Sequence, residues 1–319
     1  MALRLEDKWV WDFWFAQDGS DYHVFYLQAP RVLKDERLRH WHTSIGHAIS
    51  QDMITWQVLP DALMPSLGDD RAFDNYTTWT GSIIRNSGIW YMFYTGSNKV
   101  EGGHIQRIGL ATSNDLVSWK KHPSNPLIEA DARWYELLDL DIYHEQAWRD
   151  PWIFWHVGAY HALITGRANH GPVDRRGVIA HARSLDLIEW KVLPPLTEPG
   201  EFAQMEVPQI IAMNGGYYLI FSCGSGMLSS LGRNRYGDIT GSYYLYGESP
   251  LGPFRYLCDQ PLVGDKRGSY YSAKMIRGPD DTWYLFAFKN FDHNSNFIGE
   301  ISDPMRVDVI SNGRLKIMD

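Results

Sequence analysis

Residues 21–28, DYHVFYLQ, form a short run of aromatic and aliphatic side chains directly after a Gly-Ser turn, the composition of a buried β-strand. Four further stretches repeat the design: WYMFYTGS at 90–97, YHALITGR at 160–167, YYLIFSCGS at 217–225 and WYLFAFKN at 283–290. Their aligned first rings, Tyr22, Trp90, Tyr160, Tyr217 and Trp283, are 68, 70, 57 and 66 residues apart. A unit of that length holds about four short strands and their turns, and no long amphipathic helical pattern interrupts the series. The repeat therefore predicts an all-β chain folded as a single five-bladed β-propeller with four-stranded antiparallel blades over residues 1–319.

A second motif follows the first three copies: GHAISQDMITWQVLP, GLATSNDLVSWKKHP and IAHARSLDLIEWKVLP, with Asp52/Trp56, Asp115/Trp119 and Asp186/Trp190 in register. The spacing S-x-D-x-x-x-W reads as a strand, a turn nucleated by Ser and Asp, and a strand opening on Trp. Recurrence in successive blades makes these residues structural, because chemistry needs one site only. YGESPLGPFRYL at 246–257 is a degenerate copy, and residues 129–147 form an insertion expected to hold a helical turn and to line a pocket mouth.

An apolar strand precedes each aromatic one: WDFWF, WTGSIIRN, RDPWIFW, EVPQIIAM and YSAKMIRG. Aligned without gaps from the hairpin side, Asp12, Thr80, Asp150, Val207 and Ala273 share one position. Glu206 falls one residue earlier, level with Trp11, Trp79, Arg149 and Ser272. The first strand of a propeller blade lines the central axis, so three blades aim an acid at one funnel. A one-residue offset normally turns a side chain to the other face; for Glu206 to join Asp12 and Asp150 its strand must bulge or end there.

Three carboxylates among aromatic rings suit glycoside cleavage. One protonates the leaving oxygen, one attacks the sugar or activates water, and one holds ring hydroxyls. Trp11, Trp14 and Trp79 are placed to offer ring faces to a sugar, although packing in a blade interface explains any one of them as well. A net charge of −8 argues against nucleic acid or an anionic membrane as partner, so the expected partner is a small carbohydrate. The two cysteines, Cys223 and Cys258, lack zinc spacing and read as free thiols. The scattered histidines lack it too, and neither metal nor cofactor is needed. MALRLEDKWVW lacks the pattern of a signal peptide, which gives the expectation of a cytoplasmic protein. The oligomeric state is left open.

The chain resembles the fructoside-processing glycoside hydrolases of families 32 and 68, which share a five-bladed propeller. The resemblance rests on segments in order: YHVFYLQAP, HWHTSIGHAISQDMITWQVLPDALMP, TWTGSIIRNSGIWYMFYTG, WRDPWIFW with its R-D-P signature, and MEVPQII. It implies that Asp12 is the nucleophile, Asp150 the stabiliser gripping sugar hydroxyls and Glu206 the acid/base. Arg149, Trp79, Ser82, Trp41, Gln28 and Thr80 would join Trp11 and Trp14 in binding substrate. VWDFWF is closer to the family 68 nucleophile segment than to N-D-P-N-G of family 32, Val207 stands for a Cys, and no C-terminal β-sandwich is expected. The implied activity is a retaining β-fructofuranosidase on sucrose or short fructosides, with hydrolysis or fructosyl transfer both open. Two alternatives stand beside it: an inverting arabinofuranosidase or xylosidase of the family 43 type, and a non-catalytic sugar-binding propeller.

Overall fold

Two-residue turns such as Gly19-Ser20 fold the axial strands back onto their aromatic partners, and in the computed structural model, which describes residues 3–318, this hairpin starts four of five blades. Blade one is β1 (Lys8–Asp18), β2 (Asp21–Pro30), β3 (Ser44–Ser50) and β4 (Gln57–Leu63). Blade two is β5 (Thr77–Asn86), β6 (Ile89–Ser97), β7 (Gln106–Ser113) and β8 (Lys120–Lys121). Blade three is β9 (Trp148–His156), β10 (Ala159–Arg167), β11 (Gly177–Ser184) and β12 (Trp190–Leu193). Blade four is β13 (Glu206–Met213), β14 (Gly216–Cys223), β15 (Thr240–Gly247) and β16 (Phe254–Arg255), with β17 (Val263–Asp265) added to β15. Blade five has β18 (Tyr270–Arg277), β19 (Trp283–Phe291), β21 (Met305–Val309) and β22 (Leu315–Ile317), with β20 (Phe297–Ile301) on β19.

Every pairing within a blade is antiparallel, so the predicted five-bladed propeller is the observed fold. The axial strands close a ring, β1 on β5, β5 on β9, β9 on β13, β13 on β18 and β18 on β1. The seam between blades five and one is sewn by the Ile301 N–H, which donates to the Leu3 carbonyl at 3.1 Å, and by the Arg31 guanidinium, which donates to the Ile298 carbonyl at 3.0 Å.

The S-x-D-x-x-x-W motif builds the seams between blades, as the sequence suggests. Asp52 accepts from the N–H groups of Ile54 and Thr55, Asp115 from Val117 and Ser118, and Asp186 from Ile188 and Glu189. Those bonds hold each carboxyl below its ordinary value and fix the turn that delivers the Trp. Trp119 then packs edge-on against Phe25 of blade one (5.7 Å) and Trp190 against Phe93 of blade two (5.3 Å). Trp56 stacks on Phe15, which touches Phe286 of blade five.

The 129–147 insertion holds single helical turns, as expected, and no longer helix: the Tyr135 N–H donates to the Asp131 carbonyl and the Tyr143 N–H to the Asp139 carbonyl, both at 2.9 Å, and the Asp131 and Asp139 carboxylates cap the next turn's N–H groups. The single α-helix among the described residues is α1 (Ser230–Tyr236), seven residues opened by the Ser229 side chain capping Gly232 N–H. Cys223 and Cys258 are free thiols.

Phe93 is fully buried at the seam of blades two and three. Phe93→Ala is expected to cost about 3–5 kcal/mol in chemical denaturation, with a propeller that still folds. A loss below about 1 kcal/mol would show that the ring does not hold the seam.

Candidate active site

Each axial strand carries an irregularity at the same level. Register skips between Trp11 and Phe13 in β1 and between Trp79 and Gly81 in β5. In β9, β13 and β18 it skips across Asp150-Pro151, Val207-Pro208 and Ser272-Ala273. These are β-bulges, and they answer the offset of Glu206: the last residue before a bulge and the bulged residue can both reach the funnel. Four bulged residues take left-handed backbone angles, Asp12 (φ +20°), Asp150 (+60°), Val207 (+51°) and Ser272 (+50°).

The pairing also corrects the fifth blade. Tyr271, paired with Phe288, is the counterpart of Glu206, Arg149, Trp79 and Trp11, and Ser272 is the counterpart of Asp12. The gapless alignment missed this by one residue. Five residues separate Arg277 from Trp283 in that hairpin, against four between Arg85 and Trp90.

At this level a pocket of about 430 Å³ opens, within the usual range for small-molecule sites. Asp12, Asp150 and Glu206 all line it, with Trp11, Trp41, Trp79, Thr80 and Arg149. Three sequence candidates are elsewhere. Trp14 is fully buried and stacks on Phe25, its cross-strand partner in β2, away from the pocket. Gln28 is buried where its amide donates to Ser44 Oγ at 3.0 Å. Ser82 is buried and accepts the Ile153 N–H at 3.0 Å, tying β5 to β9. The polar atoms of Gln28 and Ser82 are committed to the scaffold, and the Trp14 indole N–H is buried away from the pocket without a hydrogen-bond partner.

The carboxyls are held differently. Asp12 accepts hydroxyl bonds from Ser272 and, at 3.4 Å, from Thr80. Asp150 accepts from Thr165 Oγ1 (2.9 Å) and from Val207 N–H (3.0 Å). Glu206 is gripped by Arg149 at 2.6 Å and by the Tyr271 hydroxyl. Arg149 also donates to Gln106, to Glu145 and to Gln204, which leaves its fork one fixed orientation.

Burial pushes the Asp12 carboxyl up to about 7; the Asp150 charge adds to this and the Ser272 hydroxyl opposes it. Asp150 is raised by burial against the pull of Arg149. Burial would lower Arg149, but Glu145, Glu206 and Asp150 outweigh it and hold the guanidinium above its ordinary value. His40, edge-on to Trp11, is pulled down to about 3 by burial and by Arg39, so it is neutral at pH 7.

His40, Glu145, Gln204, Tyr271 and Ser272 escaped the sequence reading. Glu145 and His144 come from the 129–147 insertion, which does line the pocket mouth as expected. His40 and Trp41 ride a 3-10 helix, Glu36–Trp41, whose His40 carbonyl accepts the Trp79 indole N–H at 2.8 Å. Gln204 stands two residues before an identified acid, and that proximity was the signal available.

Residues 14–300 match the family model described as the N-terminal domain of glycosyl hydrolases family 32. An extracellular sucrase of Zymomonas mobilis is 27% identical over 98% of this chain and 82% of its own length. Among solved structures, an inulosucrase from Halalkalicoccus jeotgali bound to kestose shares the fold with a TM-score of 0.75 at 21% identity, covering 98% of this chain and 87% of that one. A β-fructofuranosidase of Bombyx mori in complex with sucrose does so at 0.69 and 20% identity, over 99% of this chain and 64% of the other. The extracellular relative overturns the expectation of a cytoplasmic protein, since an N-terminal stretch without a signal-peptide pattern does not fix the compartment.

Asp12 works against folding at neutral pH. Unfolded, it loses its proton near 3.8; folded, near 7, so between those values the unfolded chain sheds a proton that the folded one keeps, and stability falls as pH rises. Above 7 the full penalty applies. Asp12→Asn removes it and is expected to raise the melting temperature by several degrees at pH 8 and by less at pH 5 in differential scanning calorimetry. An equal shift at both pH values, or a decrease at pH 8, contradicts this.

Proposed function

The chain belongs to glycosyl hydrolase family 32, whose members are glycoside hydrolases, and we propose that it is a retaining β-fructofuranosidase acting on sucrose or short fructosides through a fructosyl-enzyme on Asp12. The carrying observation is the convergence of Asp12, Asp150 and Glu206 on one aromatic-walled pocket. The sucrase among its relatives and the sucrose and kestose complexes that share its fold support the substrate class. In this reading the whole propeller is the catalytic domain.

Asp12 attacks the anomeric carbon while Glu206 passes its proton to the departing glycosidic oxygen. Glu206, now ionised, takes a proton from water, which attacks the anomeric carbon of the fructosyl-enzyme and displaces Asp12 as a carboxylate. Asp150, anchored by Thr165 and Val207, presents its remaining acceptor capacity to the sugar hydroxyls. Trp11, Trp41 and Trp79 wall the ring, and Thr80 and Ser272 steer the nucleophile. Burial favours a proton on Asp12, so the first step draws on the fraction of molecules in which that carboxyl is ionised.

Sucrose turnover followed by proton NMR tests the proposal. The first fructose released is expected as the β-furanose, and Asp12→Asn and Glu206→Gln are each expected to lower kcat by roughly 10⁴-fold or more with the fold intact. First release of the α anomer would mean direct attack by water and inversion. Failure to cleave any fructoside would reject the assignment.

A further inference from the structure

Directly after the Ser272-Ala273 bulge of β18 lies Lys274, 2% exposed and outside the residues that line the pocket. Its ammonium donates to the carbonyls of Val207 (2.9 Å) and Pro208 (3.0 Å), the two residues that follow Glu206 and form the bulge of β13. It also lies over the Trp152 ring of β9 at 5.3 Å. A buried lysine is costly, and a main-chain clamp alone could be made by a neutral side chain such as Gln209, which links β13 to Met275 of β18 by two amide bonds. Charge is what Lys274 adds.

We propose that Lys274 is a positioning residue for the reaction: its ammonium fixes the Val207-Pro208 bulge, and through it the aim of Glu206 and the Val207 N–H bond to Asp150, while supplying a positive charge beneath the acids. The reasoning rests on the catalytic reading given above. Lys274 touches no substrate. It acts through two peptide groups, since Val207 gives its carbonyl to the ammonium and its N–H to Asp150.

The surroundings support the charge role. The acids that face Lys274 are Asp12 from β1 and Asp150 from β9. Strand β13 presents carbonyls, with Glu206 turned to Arg149 and Tyr271; on β18 itself Tyr271 and Ser272 are bonded to Glu206 and Asp12. Burial brings the Lys274 amine down to about 7 against the pull of these two acids. β18 thus serves all three acids: Tyr271 binds Glu206, Ser272 binds Asp12, and Lys274 holds the carbonyl of Val207, the residue whose N–H binds Asp150.

The test compares wild type, Lys274→Met and Lys274→Gln on sucrose across pH 4–9, with melting temperatures measured alongside. Lys274→Met is expected to lower kcat about 10- to 100-fold, to leave KM within about threefold, and to displace the alkaline limb of the kcat profile. Lys274→Gln, which keeps a donor without the charge and is the safer variant for folding, is expected to displace the same limb. An unchanged pH profile in a folded variant, or a loss of activity that only tracks the unfolded fraction, overturns the proposal. A wild type inactive on every fructoside sinks the catalytic reading and this one together; an active wild type with unaltered variants sinks this one alone.

Discussion

The site depends on one backbone constraint, a bulge at the same height in every axial strand. A bulge spends a ladder hydrogen bond and bends the strand, and non-glycine residues at positive φ cost on the order of 1–3 kcal/mol each. The structure answers by giving the displaced N–H groups side-chain acceptors. Asp150 N–H donates to the Thr95 hydroxyl at 2.9 Å, Ala273 N–H to the Ser242 hydroxyl at 3.0 Å, and Val207 N–H to Asp150 itself. Each bond crosses from one blade to its neighbour, so the propeller's closure and the geometry of the acids are set by the same contacts.

The second constraint is charge. Asp12, Asp150, Glu206 and Glu145 are crowded at the pocket, and Arg149 alone contacts Glu145 and Glu206 while standing 3.6 Å from Asp150. Removing one partner of such a cluster leaves buried charges uncompensated, so its members act together. The neutral His40 adds polarity to the wall without adding charge, which leaves the proton balance to the carboxyls and their cations.

Much of this was legible in the sequence because a propeller repeats its parts. The aromatic second strands, the S-x-D-x-x-x-W turns and the acids of blades one and three recur at fixed offsets, and the structure puts them where that periodicity implies; Glu206 of blade four, one residue off, reaches the same pocket because its strand bulges. What was illegible came from breaks in the repeat. One extra residue in the blade-five hairpin hid Tyr271 and Ser272, which bond two of the acids. Alternation along a strand cannot tell a wall residue from a core one next to a bulge, so Trp14 and Ser82 read like Trp11 and Thr80. Gln28 came from the family resemblance alone, and its neighbour Leu27 lines the pocket in its place. His40 and Glu145 come from connecting segments whose course no periodicity describes.

The account turns on Asp12 taking the sugar covalently while Glu206 handles the proton. Peptide mass spectrometry of the Glu206→Gln variant, quenched during reaction with a fructoside bearing an activated leaving group, tests that most directly. The expected result is one anhydrofructosyl unit esterified to the peptide that carries Asp12, because attack no longer needs the acid while release still needs the base. Turnover of the activated substrate with no adduct on that peptide, or an adduct on Asp150 instead, would contradict it.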